Sequence, residues 1–251
     1  MAPHLLKNSH AVLQSRPLVV GTLTGSQALT QLKSARSSRI DLIELRLDTF
    51  SFLSNDIERS ISKSKEILLQ IRKVVPLPIL LTLRSYKEAG QAVPSGKRFN
   101  DQWRWQVLKE LIPFVEAVDV EAVSTKLLEK VSSLAAKNKG CVIQSHHNFR
   151  GVTNPSVLKK IHKQAVQGRV DILKIAVMPR TEKELRSFLR WGLSLKTPRV
   201  VLIGMGPIGF VSRFLGHCFG SVLTFGHLGT RTAPGQIHAK DLSASIRSIY
   251  G

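Results

Sequence analysis

The chain has 251 residues, 43% apolar and 22% charged, which suits one soluble domain with a substantial core. Lys and Arg number 37 against 17 Asp and Glu, giving a formal net charge of +20. Two cysteines make neither a disulfide framework nor a zinc cluster, and no apolar run is long enough to span a bilayer; this sets aside disulfide scaffolds and membrane proteins and leaves a reducing cytoplasm as the simplest setting.

The basic residues are spread along the whole chain, with no run of five or more like charges and no aromatic–basic interleaving. Nucleic-acid binding therefore ranks below a solvated basic surface or the attraction of a small anionic substrate. The first acidic residue is Asp41, a faint likeness to a transit peptide, but strand-like sequence already begins at Leu18. Residues 1–16 read as a short N-terminal extension of a single domain covering 1–251.

From there, eight short apolar, β-branched runs follow in order: Leu18–Leu23, Asp41–Leu47, Pro78–Arg84, Ala117–Ala122, Cys141–His147, Asp171–Val177, Arg199–Met205 and Ser221–Gly226. Segments with helical spacing separate them, among them Ser124–Asn138 and Thr181–Leu195, while Ala89–Phe99 reads as a loop. Alternating strands and helices imply parallel pairing, either as a closed (β/α)8 barrel or as an open doubly wound sheet. The faces of the strands choose between them. Ile43, Leu45 and Leu47 share one face, and Glu44, Arg46 and Asp48 the other. Thr82 and Arg84, Asp119 and Glu121, Ser145 and His147, and Lys174 likewise stand opposite apolar rows. A sheet covered on both faces would bury these charges without partners, whereas a TIM barrel turns them into one interior.

Gly204-Met205-Gly206-Pro207-Ile208-Gly209 has the spacing of a dinucleotide-binding turn and the strand before it. No Asp or Glu follows until Asp241, and too little chain remains for the rest of such a domain. A tight βα turn with Pro207 opening a helix fits better, and no cofactor is expected.

The interior row that remains is Glu44, Arg46, Arg84, Glu121, His147 and Lys174. Taken alone, Lys174 in its apolar run reads as an edge-strand lysine that blocks aggregation. In a central sixth strand it reads instead as a desolvated amine, pushed toward its neutral form by burial and neighbouring arginines, and nucleophilic toward carbonyls. His147 is a proton carrier for such chemistry. Glu44 and Arg46 fit either a structural pair at the barrel floor or a ligand role. His146 and His147 face opposite ways, so only one lines the interior. No metal site is expected, because ligand spacing is absent and an Arg- and Lys-rich interior repels cations.

Seven segments in order carry a specific likeness: Glu44-Leu45-Arg46-Leu47-Asp48, Arg84-Ser85-Tyr86-Lys87-Glu88-Ala89-Gly90, Asp119-Val120-Glu121, Ser145-His146-His147-Asn148-Phe149, Lys174-Ile175-Ala176-Val177-Met178-Pro179, Ser212-Arg213 and Thr232-Ala233-Pro234-Gly235-Gln236. From Leu18 to its end the chain resembles the type I 3-dehydroquinate dehydratases. The resemblance implies a TIM barrel, usually a homodimer, that converts 3-dehydroquinate to 3-dehydroshikimate in the shikimate pathway without cofactor or metal. It implies that Lys174 forms an imine with the substrate ketone, that His147 moves the C2 proton, and that Glu88 orients His147. It gives Arg213 the substrate carboxylate, and Glu44, Arg46, Arg84 and Gln236 its hydroxyls and carboxylate. Met205 and Phe225 would wall the pocket, and Arg231–Gln236 would close over it. Three departures stand out: Thr232 and Thr22 where serine is frequent, and Asn148 where aspartate is. Competing readings are another Schiff-base lyase or aldolase on the same barrel, and a basic nucleic-acid-binding protein.

Overall fold

A computed structural model describes residues 15–25, 28–88 and 99–251. Most of the expected N-terminal extension (1–14), and all of the expected Ala89–Phe99 loop except Phe99, lie outside them. Eight strands form one parallel sheet: β1 (Leu18–Leu23), β2 (Leu42–Arg46), β3 (Ile79–Thr82), β4 (Ala117–Glu121), β5 (Cys141–Asn148), β6 (Ile172–Val177), β7 (Arg199–Gly204) and β8 (Leu223–His227). They pair in the order β7-β6-β5-β4-β3-β2-β1-β8. The two ends of that order meet at a Val200–Ser221 bridge, where the Val222 amide donates to the Val200 carbonyl at 2.9 Å. The sheet thus curls into a nearly closed (β/α)8 barrel.

The outer ring is formed by α1 (Ala28–Ser37), α2 (Ile57–Val74), α3 (Asp101–Leu111), α4 (Thr125–Lys137), α5 (Pro155–Gln167) and α6 (Glu182–Leu193), then two single turns, α7 (Gly206–Gly209) and α8 (Ser212–Leu215), and finally α9 (Ala239–Tyr250). Several helices begin where a polar side chain accepts an otherwise orphan amide: Asp56 from Arg59, Asn100 from Trp103 and Thr181 from Glu184. Each such cap stabilises by about 1 kcal/mol. The amphipathic stretches expected at Ser124–Asn138 and Thr181–Leu195 are α4 and α6, shortened by a residue or two at each end.

Two apolar clusters follow from strand alternation. The larger packs Ile43, Leu45, Leu81, Val118, Val120, Leu173 and Ile175 against the helices. The smaller fills the barrel with Leu18, Leu42, Leu80, Ala117, Cys141 and Ile172, each two residues before a more polar inward position or further down its strand. The inward polar groups are thereby raised to the C-terminal end of the sheet, where a barrel builds its site.

β2 and β6 start one residue later than the sequence suggests, because the acid before each is used differently. Asp41 accepts the Val19 amide at 2.8 Å and Asp171 accepts the Val142 amide at 2.8 Å. Glu116, just before β4, does the same for the Ile79 amide at 2.7 Å. An acid ahead of β2, β4 and β6 therefore caps the first amides of the preceding strand and fixes its register.

The glycine-rich turn after β7 packs on itself. A Cβ on Gly209 would lie 2.2 Å from the Gly204 carbonyl carbon, and one on Gly204 would lie 2.6 Å from the Gly209 Cα. The glycines permit this close backbone contact. Gly209→Ala forces backbone movement and is expected to cost about 2 kcal/mol, which lowers the melting temperature by roughly 5 °C. A calorimetric scan showing an unchanged transition would contradict this packing.

Candidate active site

At the C-terminal end of the barrel, Glu44, Arg46, Arg84, Glu88, His147, Phe149, Lys174, Ala176, Ile203, Met205, Arg213, Phe225, Thr232, Ala233 and Gln236 enclose, with its mouth, a cavity of about 500 Å³. Eleven of the thirteen residues singled out from the sequence line it. Glu121 does not, and neither does Thr22. Its hydroxyl lies behind the wall, donating to Glu44 Oε2 at 2.9 Å and accepting from Gln236 Nε2 at 3.3 Å.

Lys174 stands in the middle of β6 with only 4% exposure. Its Nζ donates to Asp119 Oδ2 at 3.2 Å, lies 3.7 Å from Glu44 Oε1, and sits 4.1 Å from the centre of the Phe225 ring. The expectation of a lysine surrounded mainly by like charge is corrected here: its charged contacts are two carboxylates. Asp119 was not among the residues singled out, although its alternation with Val118 and Val120 placed it on the inner face. Fully buried, it also accepts from Arg84 Nη1 at 2.8 Å and Ser145 Oγ at 2.6 Å. Burial opposes its ionisation, but the charges of Arg84 and Lys174 prevail and hold it well below the usual carboxylate range. Glu44 is held ionised in the same way: burial works against it, while Lys174 and Arg46 outweigh burial. Glu44 also accepts from the hydroxyls of Thr22 and Thr82.

The notion that Arg46 pairs with Glu44 at the barrel floor is replaced by a different pair. Arg46 donates from Nε and Nη2 to the two oxygens of Asp48, at 3.0 and 2.8 Å. The cavity itself is lined by Arg46, Arg84, Lys174 and Arg213 against Glu44 and Glu88, as the basic interior row led one to expect, and Asp48, Asp119 and Glu121 behind the lining balance Arg46 and Arg84. Among the described residues no group of three or more His, Cys, Asp or Glu is arranged to hold a metal.

His147 belongs to β5, one residue after His146, so the two rings leave the strand on opposite sides. Glu88 reaches both from the turn that follows β3. Its Oε2 accepts the His147 backbone amide at 2.9 Å and lies 3.0 Å from His147 Nδ1, and Oε1 is 3.6 Å from His146 Nδ1. This fixes the imidazole with Nδ1–H on the carboxylate and leaves Nε2 for the cavity. Burial and then the charge of Arg84 bring His147 down to about 4, against the opposing pull of Glu88, so the ring is neutral at pH 7. Glu88 itself is lowered to about 2, because the histidine hydrogen bonds outweigh the opposing effect of burial. Asn148 faces away, accepting the Arg150 amide at 3.0 Å.

Arg213, on α8, is 3% exposed and donates only to carbonyls, Phe225 O at 3.1 Å and Pro234 O at 3.3 Å. Its Nε is buried with no partner. The guanidiniums of Arg46, Arg84 and Arg104 all touch carboxylates, whereas among the described residues Arg213 meets none. Burial lowers it to about 10, so it keeps its charge at neutral pH. The segment Arg231–Gln236 lies against the barrel. Gln236 Oε1 accepts the Thr232 amide at 2.8 Å and hydroxyl at 3.1 Å, and the Gly206 amide donates to Pro234 O at 3.2 Å. The site therefore joins a buried amine, a neutral oriented imidazole and an unpaired cation, a set suited to imine chemistry on a small anionic carbonyl compound.

Comparison with known proteins leads to one family. The model of the family described as type I 3-dehydroquinase matches residues 17–251. The 3-dehydroquinate dehydratase of Thermodesulfovibrio yellowstonii is 30% identical, over 92% of this chain and 95% of its own. That of Methanothrix thermoacetophila is 31% identical, over 93% of this chain and 92% of its own. The solved type I 3-dehydroquinate dehydratase from Clostridium difficile, with covalently modified comenic acid, superposes with a TM-score of 0.81 at 27% identity, covering 94% of this chain and 92% of that one.

The depressed imidazole has a measurable consequence. Between its ordinary 6.5 and about 4, the unfolded chain takes up a proton that the folded protein refuses, so stability falls as pH falls through that window. The full loss approaches about 3 kcal/mol. His147→Gln is expected to flatten the pH dependence of urea-denaturation stability across this window, and equal slopes in the two proteins would show that His147 titrates as an ordinary histidine.

Proposed function

Because the chain belongs to the type I 3-dehydroquinase family and is a 3-dehydroquinate dehydratase of the shikimate pathway, we propose that the reaction runs through an imine on Lys174. The observation that carries this reading is the enclosure of Lys174 in one cavity with a neutral imidazole already oriented by a carboxylate.

The Lys174 ammonium gives a proton to His147 Nε2, the freed amine adds to the C3 ketone, and His147 returns the proton to the carbinolamine hydroxyl, which leaves as water and yields the protonated imine. Asp119 and Glu44, which hold the ammonium in the resting site, then face the iminium charge and favour it. The iminium draws electrons from the adjacent carbon, and His147 Nε2 takes the C2 proton. The electron pair passes into an enamine and expels the C1 hydroxyl, which leaves as water with a proton returned by His147. Water hydrolyses the resulting iminium, releasing 3-dehydroshikimate and the free amine. Glu88 steadies the imidazolium that forms between these steps.

Arg213 is assigned the substrate carboxylate, since it is the buried guanidinium without an acidic partner and its fork suits that group. Glu44, Arg46, Arg84 and Gln236 are assigned substrate hydroxyls and carboxylate, Met205 and Phe225 the pocket wall, and Thr232 the closing segment. Thr22 is assigned to supporting Glu44 and Gln236 from behind.

Borohydride added with 3-dehydroquinate is expected to leave one reduced substrate adduct, found by peptide mass spectrometry on Lys174. Lys174→Ala should lose the adduct and about a thousandfold or more in kcat. Turnover retained in that variant would rule out the imine.

The homodimer is also proposed. Phe210, Val211 and Leu215, exposed by 37%, 41% and 41%, lie together around the short α7 and α8 turns and offer an apolar surface for a second copy. Sedimentation equilibrium is expected to give twice the chain mass, with Leu215→Glu shifting it to the monomer. A wild-type monomer at micromolar concentration would refute the dimer. A cytoplasmic location is proposed on the cysteine usage; no described helix is long and apolar enough to cross a membrane.

A further inference from the structure

We propose that Arg104, outside the barrel on α3, is a positioning residue for the reaction, acting through Glu121. Arg104 is 1% exposed although it belongs to an outer helix. Its guanidinium is spent on four groups from three segments. Nε donates to the Leu83 carbonyl at 3.0 Å, and Nη1 to Asp101 Oδ1 at 2.8 Å and Ser124 Oγ at 3.2 Å. Nη2 donates to Glu121 Oε2 at 2.5 Å. It thus pins the C-terminal ends of β3 and β4 together from behind.

Glu121 passes this constraint inward. Its second oxygen, Oε1, accepts the Ser85 amide at 2.8 Å and Arg84 Nη1 at 3.1 Å. Ser85 opens the turn closed by the Glu88 amide on the Ser85 carbonyl at 3.0 Å, and Glu88 orients His147. Arg84 leads the other way, through Asp119 to Lys174. One buried carboxylate is therefore the joint between the group that carries the proton and the group that carries the imine.

The arrangement is divided between two cations for a physical reason. Glu121 has no exposed surface, so both oxygens need strong donors. With Arg104 on Oε2, Arg84 makes only the long contact with Oε1 and keeps its 2.8 Å bond to Asp119. Without Arg104, Glu121 becomes the more demanding anion, and Arg84 is drawn from Asp119 toward it. The Ser85 amide moves with Glu121, and Glu88 follows. Arg104 itself does not line the cavity, so the expected defect falls mainly on the alignment of His147 and Lys174, with a smaller effect on substrate contact through Arg84. Displacements of about 1 Å at such groups can cost about a hundredfold in rate.

This rests on the roles proposed for Lys174 and His147, and the test separates the two. Arg104→Met and Arg104→Lys are compared with wild type well below their melting temperatures, with circular dichroism confirming the fold. Lysine keeps the charge but cannot reach all the oxygens that the fork spans. For Arg104→Met, kcat is expected to fall about tenfold or more, KM to change by less than about threefold, and the acid limb of kcat/KM to move. Arg104→Lys should fall between Arg104→Met and wild type. A variant that melts earlier yet keeps kcat within about twofold of wild type, with an unmoved pH profile, would reduce Arg104 to a structural role and overturn the proposal. If Arg104→Met does not fold, Arg104→Lys decides by the same criteria. Borohydride labelling of Lys174 is run on every protein. A wild type that turns over without labelling defeats the imine reading, whereas full labelling with undiminished kcat in the variants defeats only the role of Arg104.

Discussion

Asp119 is the constraint on which the site depends. It is fully buried at the centre of the barrel and touches Arg84, Ser145 and Lys174 with its two oxygens. A carboxylate there is tolerated only if cations and hydroxyls replace the water it has lost. Those partners come from β5, β6 and the segment just after β3, so satisfying one buried charge fixes the relative height of three strand ends. The chemistry then inherits its geometry from an electrostatic necessity. Lys174 is held where it is because Asp119 and Glu44 require a cation at that point, whatever substrate enters.

The barrel itself was legible in the sequence because strand alternation is a local property. Each inward row, such as Glu44 with Arg46 or Ser145 with His147, could be read from two-residue spacing alone. Partner choice was not legible, because it depends on register between strands. On β4, Asp119 and Glu121 share a face two residues apart. Glu121 drew attention, and the register does pair it through Ser145 with Lys174, yet the carboxylate that meets Lys174 Nζ is that of Asp119, two residues lower on β4. Arg46 has Glu44 two residues before it and Asp48 two residues after it, and nothing in spacing decides which it joins. The 3₁₀ turn Leu47–Thr49 brings Asp48 back onto the guanidinium. Arg104 escaped notice for the opposite reason: in a helix that reads as part of the solvent-facing ring, an arginine looks like surface. Thr22 kept its inward face and stands level with Glu44, but its short side chain is covered by Glu44 and Gln236 and does not reach the cavity.

The adjacent histidines show how far one strand position can be exploited. The backbone amide and ring nitrogen of His147 both meet the same Glu88 oxygen, so the ring is anchored to its own main chain through a third residue. His146, on the other side of the strand, has Nε2 2.9 Å from Thr153 Oγ1 and stabilises the loop that follows β5. A single carboxylate thereby reaches both histidines at once. Its low pKa keeps it an acceptor through the pH range in which His147 exchanges protons.

The glycine-rich turn after β7 illustrates why a motif needs its surroundings. In a nucleotide site, such glycines allow the backbone to approach a phosphate. Here Gly204 and Gly209 use that freedom to approach each other. Gly206 adopts φ +71° and donates its amide to Pro234, on the segment that roofs the cavity. A Cβ on Gly235 would in turn lie 3.0 Å from the Gly206 carbonyl oxygen, so the roof sits close upon the turn. The same fold of the chain brings Arg213, just beyond the turn, within 3.3 Å of the Pro234 carbonyl. The unpaired guanidinium and the roof are therefore joined through one carbonyl oxygen.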